Sequence, residues 1–346
     1  MIDMKKIVFA IMAAAALAAC SKSEVEYTQT EEIGFAPFSK TSTKAAESTS
    51  DYNDDLPIYV YANAGTQAAA PGDYTEAFLA KAKFAHRLDL SDNIFGGDPY
   101  PYYWPNVKKL VFAGYSEACN SAACKSKMDF ATNTLEIDGY VQAAGTAKKG
   151  DNDLMWFSTT APYGKGTASV PVTMYHACSW ITIKVGGDAT TAKSDKEWKV
   201  NNITINGLTT KGDVDCVGET ATWTLSAVAA DKNKTFVVFN GTQNLSTTAT
   251  KDGFENVVDN TVVLPQTATD MDITYSYTSP AGAEISETAN VSLALDKSAT
   301  PAAGANDWKA GYHYTYTVTI TASEILIQPT AQTWTEYTPA IPEVQL

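Results

Sequence analysis

The chain has 346 residues with 25 Lys+Arg, 39 Asp+Glu and 3 His, giving a formal net charge of −14. That acidity argues against a nucleic-acid partner, whose phosphates demand a basic face, and against charge-driven docking on anionic lipid. Hydrophobic residues at 45% suffice for packed cores and exclude global disorder, and the length suits about two domains.

Lys5 and Lys6 precede an uncharged apolar run over residues 7–19. The run is shorter than the ~20 residues of a spanning helix and fits the h-region of a signal peptide. It ends Leu17-Ala18-Ala19-Cys20, which resembles a bacterial lipobox. The resemblance implies that signal peptidase II cuts between Ala19 and Cys20 and that the Cys20 thiol is acylated. One acyl chain holds a membrane marginally, whereas two or more hold it firmly. Residues 1–19 are therefore read as a lipoprotein signal peptide. Residues 20–54, rich in Ser, Thr, Glu and Lys, are read as a lipidated linker.

One piece of that linker differs. Ile33-Gly34-Phe35-Ala36-Pro37 alternates, with Ile33 and Phe35 on one side, and predicts a short first strand. From residue 56 onward, short β-type runs alternate with clusters of Gly, Asn, Asp and Pro. Examples are Pro57-Ile58-Tyr59-Val60-Tyr61, Trp180-Ile181-Thr182-Ile183-Lys184-Val185 and Tyr312-His313-Tyr314-Thr315-Tyr316. Residues 75–88 permit either a helix or a strand. Gly186-Gly187-Asp188 and the polar run after it suggest an N-terminal domain over 55–187 and a C-terminal domain over 188–346. The fold expected is all-β, with two tandem β-sandwich domains.

The search for chemistry is mostly negative. No G-x-S-x-G, H-E-x-x-H or P-loop occurs, so no enzyme, cofactor or metal is expected. Asp51-Tyr52-Asn53-Asp54-Asp55 opens like a calcium loop, but Leu56 stands where Gly is needed and Ala62 where Glu is needed. Cys119, Cys124, Cys178 and Cys216 have two readings. Exported proteins permit disulfides, with Cys119 and Cys124 close enough for a loop bridge and Cys178 able to reach Cys216 if the fold joins them. The other reading is buried free thiols. His176 and His313 read as structural. Tyr100, Tyr102, Tyr103 and Trp104, set among Pro99, Pro101 and Pro105, read as core packing or as a sugar-stacking platform. The platform would suit an alternative function, a surface glycan-binding lipoprotein of a nutrient-uptake system.

Four stretches, in order, resemble the fimbrillin family of type V pilins. They are the lipobox followed by Glu32-Ile33-Gly34-Phe35, then Tyr102-Tyr103-Trp104-Pro105 leading to Leu110-Val111-Phe112-Ala113-Gly114-Tyr115. The third is Met174-Tyr175-His176-Ala177-Cys178-Ser179-Trp180. The fourth is Val263-Leu264-Pro265-Gln266 with Trp308-Lys309-Ala310-Gly311-Tyr312-His313-Tyr314. The resemblance implies transthyretin-like β-sandwiches and a non-enzymatic lipoprotein of the cell outer membrane, acting in a fimbrium or in cell adhesion. Its partners would be other fimbrillin-type subunits, the membrane through a lipid anchor, and a host or bacterial surface receptor. In polymerising members a trypsin-like protease cuts beyond the first strand; that strand leaves, and a strand from another subunit fills the groove. Mapped here, Ile33, Gly34, Phe35, Ala36 and Pro37 form the detachable first strand, and Lys40 and Lys44 are the candidate cleavage positions. The only Arg is Arg87, inside the first domain, so an anchor or tip-type subunit and a Lys-accepting protease both stay open. Residues 329–346 are a second candidate donor segment, against which Pro339 and Pro342 weigh.

Overall fold

The structure, a computed structural model, describes residues 31–39, 56–66, 73–86, 90, 94–118, 124–143, 152–187, 198–245, 254–279, 281–293, 307–320 and 325–333, with only the backbone for 37–39, 260 and 325–333. The strands run β1 (Phe35–Ser39), β2 (Ile58–Thr66), β3 (Glu76–His86), β4 (Phe95–Gly97), β5 (Lys108–Ser116), β6 (Lys125–Asp129), β7 (Thr134–Val141), β8 (Met155–Ser158), β9 (Val170–His176), β10 (Ser179–Gly187), β11 (Trp198–Leu208), β12 (Lys211–Val217), β13 (Thr220–Leu225), β14 (Lys234–Asn244), β15 (Glu255–Val263), β16 (Asp270–Thr278), β17 (Glu284–Ser292), β18 (Tyr312–Ile320) and β19 (Ile325–Thr333). Helical structure among the described residues is confined to Asn152 and the 3-10 turn Ala229–Asp231. The protein is all-β, as its sequence predicts.

Alternation drives these strands. In β9 and β12 every second residue is buried, which is what a sheet with one face on a core requires. The segment that reads equally as helix or strand is β3. It carries a bulge: Val60 pairs with Ala82 and Ala62 with Leu79, leaving Ala80 and Lys81 opposite Tyr61 alone. Lys81 takes φ 59° there, and the buried residues Leu79, Ala82 and Phe84 are consequently spaced by three and then two.

The N-terminal strands close into a barrel in the order β1-β4-β3-β2-β5-β8-β9, where an open sandwich is expected. Its interior is packed solid with Ile58, Val60, Phe84, Leu110, Phe112, Phe157, Val172 and their neighbours. The C-terminal half is a sandwich of two sheets, β15-β10-β18-β19 and β14-β11-β16-β17. Their inner faces enclose Ile181, Ile183, Val185, Ile203, Ile205, Met271, Ile273, Tyr316 and Val318.

A fourth sheet, β13-β12-β7-β6, joins the halves. The hairpin β6–β7 leaves the barrel sequence between β5 and β8, and β12–β13 leaves the sandwich sequence between β11 and β14. They pair through β7 and β12, from Lys211 opposite Val141 to Val217 opposite Thr134. The core beneath takes Tyr115 and Trp156 from the barrel, Leu135, Ile137 and Val214 from the joining sheet, and Trp180, Val262 and Leu264 from the sandwich. The expected boundary between 187 and 188 therefore does not follow the sheets. β10, on its N-terminal side, is an inner strand of a sandwich sheet, pairing with β15 and β18, while β12, on its C-terminal side, pairs with β7 of the other half. Interlocked hairpins make the division non-linear in sequence.

Ile137 is fully buried in this joining core. Ile137→Ala is expected to cost about 2–5 kcal/mol, and to shift the barrel and the sandwich together to lower urea in one transition. Urea denaturation followed by tryptophan fluorescence and far-UV circular dichroism checks this; a sandwich transition that stays in place would show the halves to be uncoupled.

Candidate functional site

β1 is the strand that closes the barrel. On one side it runs parallel to β9, with Phe35 opposite Val170 and Ser39 opposite Met174. On the other it meets β4 antiparallel at Phe35 opposite Phe95. The pairing extends N-terminally past the strand itself. Ile33 N–H donates to the Tyr102 carbonyl at 2.7 Å, Trp104 N–H donates to the Glu31 carbonyl at 3.1 Å, and Val170 N–H donates to the Gly34 carbonyl at 2.8 Å. Glu32 bridges Tyr103. The Glu31 carboxylate accepts from Gly166 N–H at 2.5 Å. Residues 31–35 are thus held on both sides, whereas 36–39 pair only with β9. Pro37, which has no N–H to give, falls in the singly paired part, where a proline is tolerated.

Two side chains anchor the segment. Ile33 and Phe35 are both completely buried in the barrel core. The Phe35 ring stands edge-on to Phe84 at 4.8 Å and to Phe112 at 5.1 Å, with Phe157 at 5.9 Å. Edge-to-face rings at these distances add roughly 0.5–1.5 kcal/mol per pair beyond simple burial. Gly34 between them passes close to a single side-chain methyl. A Cβ there would lie 2.8 Å from Ile94 Cγ2, with the carbonyls of Phe95 and Ala168 at 3.8 and 3.9 Å.

The five residues expected to form a first strand, 33–37, lie inside this paired segment, although the strand proper is displaced by two residues, to Phe35–Ser39. The candidate cleavage positions Lys40 and Lys44, the lipobox residues Ala19 and Cys20, Arg87, the acidic loop 51–55 and the tail from 334 onward lie outside the described residues. Sequence reasoning missed three parts of the site: the strip 102–104 that pairs with 31–33, the Glu31 contact, and the three-ring box around Phe35. Phe84 and Phe112 sit at period-two positions in their strands, which is the signal that identifies them as inward-facing.

The remaining candidates are structural. Cys124 is disulfide-bonded, and Cys119 lies outside the described residues. Cys178 and Cys216 are free thiols buried in the joining core, the second of the two readings the sequence leaves open; both pack as small apolar groups. Burial pushes the Cys178 thiol up to about 12 and the Cys216 thiol still further up. His176 Nδ1 meets the Asp153 carboxylate at 2.9 Å, both side chains buried, and ties the end of β9 to the start of β8. His313 stacks on Trp180 at 3.6 Å and shares a 2.8 Å hydrogen bond with Thr182. Trp104 is only 2% exposed and packs edge-on against Phe112. It supports the barrel and offers no face to a sugar, which removes the main stacking residue of the glycan-platform reading. Among the described residues no cluster of His, Cys, Asp and Glu could hold a metal ion.

The fold and the site define an all-β protein with a barrel closed by its own N-terminal strand, joined to a sandwich. A family model described as fimbrillin-like matches residues 43–334, and the chain belongs to that family. It is similar in fold to a fimbrial protein of Bacteroides vulgatus ATCC 8482, at 16% identity and TM-score 0.59, over 87% of this chain and 99% of that one. A candidate cell adhesion protein of Bacteroides ovatus ATCC 8483 matches at 12% identity and TM-score 0.49, over 88% of this chain and 98% of that one. No curated protein matches the chain.

Phe35→Ala is expected to cost about 3–5 kcal/mol of stability, with faster amide exchange in β9 and β4; hydrogen exchange read by mass spectrometry checks both. Iodoacetamide at pH 8 is expected to leave Cys178 and Cys216 unmodified in the folded chain and to alkylate both after denaturation, as a peptide map would show.

Proposed function

We propose that the chain is a non-enzymatic, surface-displayed fimbrial subunit or adhesin that joins its neighbours by strand addition. The observation that carries this reading is the placement of β1. A segment fully buried through Ile33 and Phe35, and needed to close the barrel, is tethered to the rest only through residues 40–55. Cutting that tether makes the segment a separate peptide, held by two apolar anchors and backbone hydrogen bonds. Its loss would leave β4 and β9 as unpaired edges flanking an apolar groove, the arrangement that recruits an extended segment from another molecule.

In this reading Cys20 carries the lipid after cleavage between Ala19 and Cys20, and anchors the protein in the cell outer membrane. Lys40 and Lys44 are the positions at which the tether is cut. The chain divides functionally into a signal peptide, a lipidated linker ending in the plug strand, a barrel that accepts a strand, and a C-terminal sandwich. Membership of the fimbrillin-like family and the fold shared with a fimbrial protein support the assignment. Other fimbrillin-type subunits are the partners by strand exchange, and a receptor on a host or bacterial surface is a further one.

Limited digestion with a lysine-specific protease tests the reading. The expected outcome is cleavage between 40 and 55, release of the N-terminal peptide, and discrete oligomers visible by size-exclusion chromatography and negative-stain microscopy. A cleanly cut protein that keeps its N-terminal peptide and remains monomeric would count against it. Cys20→Ala is expected to abolish labelling of the chain by radioactive palmitate and to leave the precursor uncut at Ala19, as a mass shift on a denaturing gel would show.

A further inference from the structure

On its parallel side β1 lies against a strand that has little other ladder support. β9 (Val170–His176) pairs with β1 at five register positions, from Phe35 opposite Val170 to Ser39 opposite Met174. With β8 it pairs at two, Met155 opposite His176 and Trp156 opposite Tyr175. Phe157 and Ser158 of β8 pair with Gly114 and Ala113 of β5 instead. Over residues 170–174, then, β1 is the sole ladder partner of β9 among the described residues.

A slot that is to take a new strand needs this wall to stay in place after β1 leaves. Val170, Val172 and Met174 are buried in the barrel core. Apolar burial is non-directional, however, and does not fix a strand along its own axis. A directional tie exists at one end of β9. His176 Nδ1 lies 2.9 and 3.0 Å from the two carboxylate oxygens of Asp153, and both side chains are 4% exposed. Asp153 is itself fixed to β5: Ser116 Oγ donates to the Asp153 carbonyl at 3.1 Å and accepts from Met155 N–H at 2.9 Å. Next to the pair, Ala177 N–H donates to the Leu154 carbonyl at 2.8 Å. This path runs from β9 through Asp153 to β5, and β1 has no part in it. Separating a buried pair leaves polar groups away from water and without partners, so the tie opens reluctantly.

We propose that His176 and Asp153 are positioning residues for strand replacement: their contact holds the end of β9 in register and keeps one wall of the slot in place while no strand occupies it. This rests on the strand-replacement reading above and adds to it the residues that keep the emptied slot receptive. His176 lies beyond Met174, the last β9 residue opposite β1, so the pair acts through the strand.

The test uses the full chain with a specific protease site inserted between residues 44 and 45, cut after folding and dialysed to remove the freed N-terminal piece. The variant is Asp153→Leu with His176→Leu, which removes the tie without leaving a buried charge unpaired. Amide exchange over 170–177 is read before and after the cut by mass spectrometry with electron-transfer fragmentation. Binding of a fluorescent 31–39 peptide to the cut protein is read by anisotropy. In the wild type, loss of the N-terminal piece is expected to raise exchange at 170–174 and to leave 175–177 protected. The uncut double variant is expected to match the wild type, because β1 still holds β9. Once cut, it is expected to lose protection at 175–177 and to bind the peptide roughly tenfold or more weakly, since apparent affinity falls with the fraction of molecules whose wall is in place.

Peptide binding by the cut variant as tight as by the cut wild type would overturn the assignment and leave strand replacement intact. Equal loss of protection in the uncut variant would make the pair a general support of the core and overturn it likewise. The wild-type measurement stands apart from any variant: exchange spreading through 175–177 once the N-terminal piece has gone would show that the pair holds nothing. A cut wild type that keeps its N-terminal piece and takes up no peptide would defeat the strand-replacement reading, and this inference with it.

Discussion

Barrel closure depends on a single element. β4 and β9 are neighbours in the ring only because β1 lies between them. Without it the other six strands form an open sheet with two edges, and each edge is a row of unmet backbone donors and acceptors. β1 satisfies both, on a parallel ladder with β9 and a single antiparallel register pair with β4. Its hold is concentrated. Burying Ile33 and Phe35 contributes about 1.5–3 kcal/mol each, while each backbone hydrogen bond contributes a net ~0.5–1.5 kcal/mol. Two side chains thus rival the whole ladder, and a competing segment that supplies the same two side chains matches most of what β1 provides.

The rest of the barrel does not rely on β1 to the same degree, because its outer face is covered. The joining sheet packs on Tyr59 and Tyr61 of β2, Tyr115 of β5, Trp156 of β8 and Tyr175 of β9. Tyr61 and Tyr115 both hydrogen-bond Ser126 of β6 at 2.7 Å, and the Trp223 indole N–H donates to the Ala177 carbonyl at 2.5 Å. The run β2-β5-β8-β9 is therefore backed by a second layer, whereas β3 and β4 complete the ring toward the slot. A barrel built this way has a braced wall and, opposite it, a seam closed by a single segment. The brace is the same sheet that fixes the sandwich to the barrel.

Much of this was legible before any coordinates. Composition and period-two patterning identify an all-β chain, and alternation at Ile33 and Phe35 singles out one strand in an otherwise polar linker. The failures have physical causes. The β3 bulge replaces a spacing of two by a spacing of three and so imitates a helical face. Pairing of β7 with β12 joins residues some seventy positions apart, and nothing in either hairpin marks its partner, because alternation reveals which face is buried and not against what. Trp104 among prolines reads as core packing or as a platform, and the pairing of the strip 102–104 with 31–33 goes with an indole that faces inward, on the core side. The free thiols Cys178 and Cys216 share one core without bonding, a matter of packing geometry that cysteine spacing does not encode.

The composition of β1 is itself part of the design. Residues 34–37, the glycine just before the strand and the first three residues of it, hold a glycine and a proline, both poor strand formers. Gly34 lets the backbone pass close to the Ile94 methyl, and Pro37 is tolerated because that part of the strand pairs on one side only. Neither choice favours extended structure in the free segment. Its conformation is therefore imposed by the slot, through Ile33 in its pocket and Phe35 among three rings. A strand with high intrinsic β-propensity in the same place would hold more tightly, and once released would offer a sticky edge to other chains. Weak local propensity joined to strong side-chain anchoring makes the closure of the barrel depend on Ile33 and Phe35 and not on the segment's own preference for extended structure.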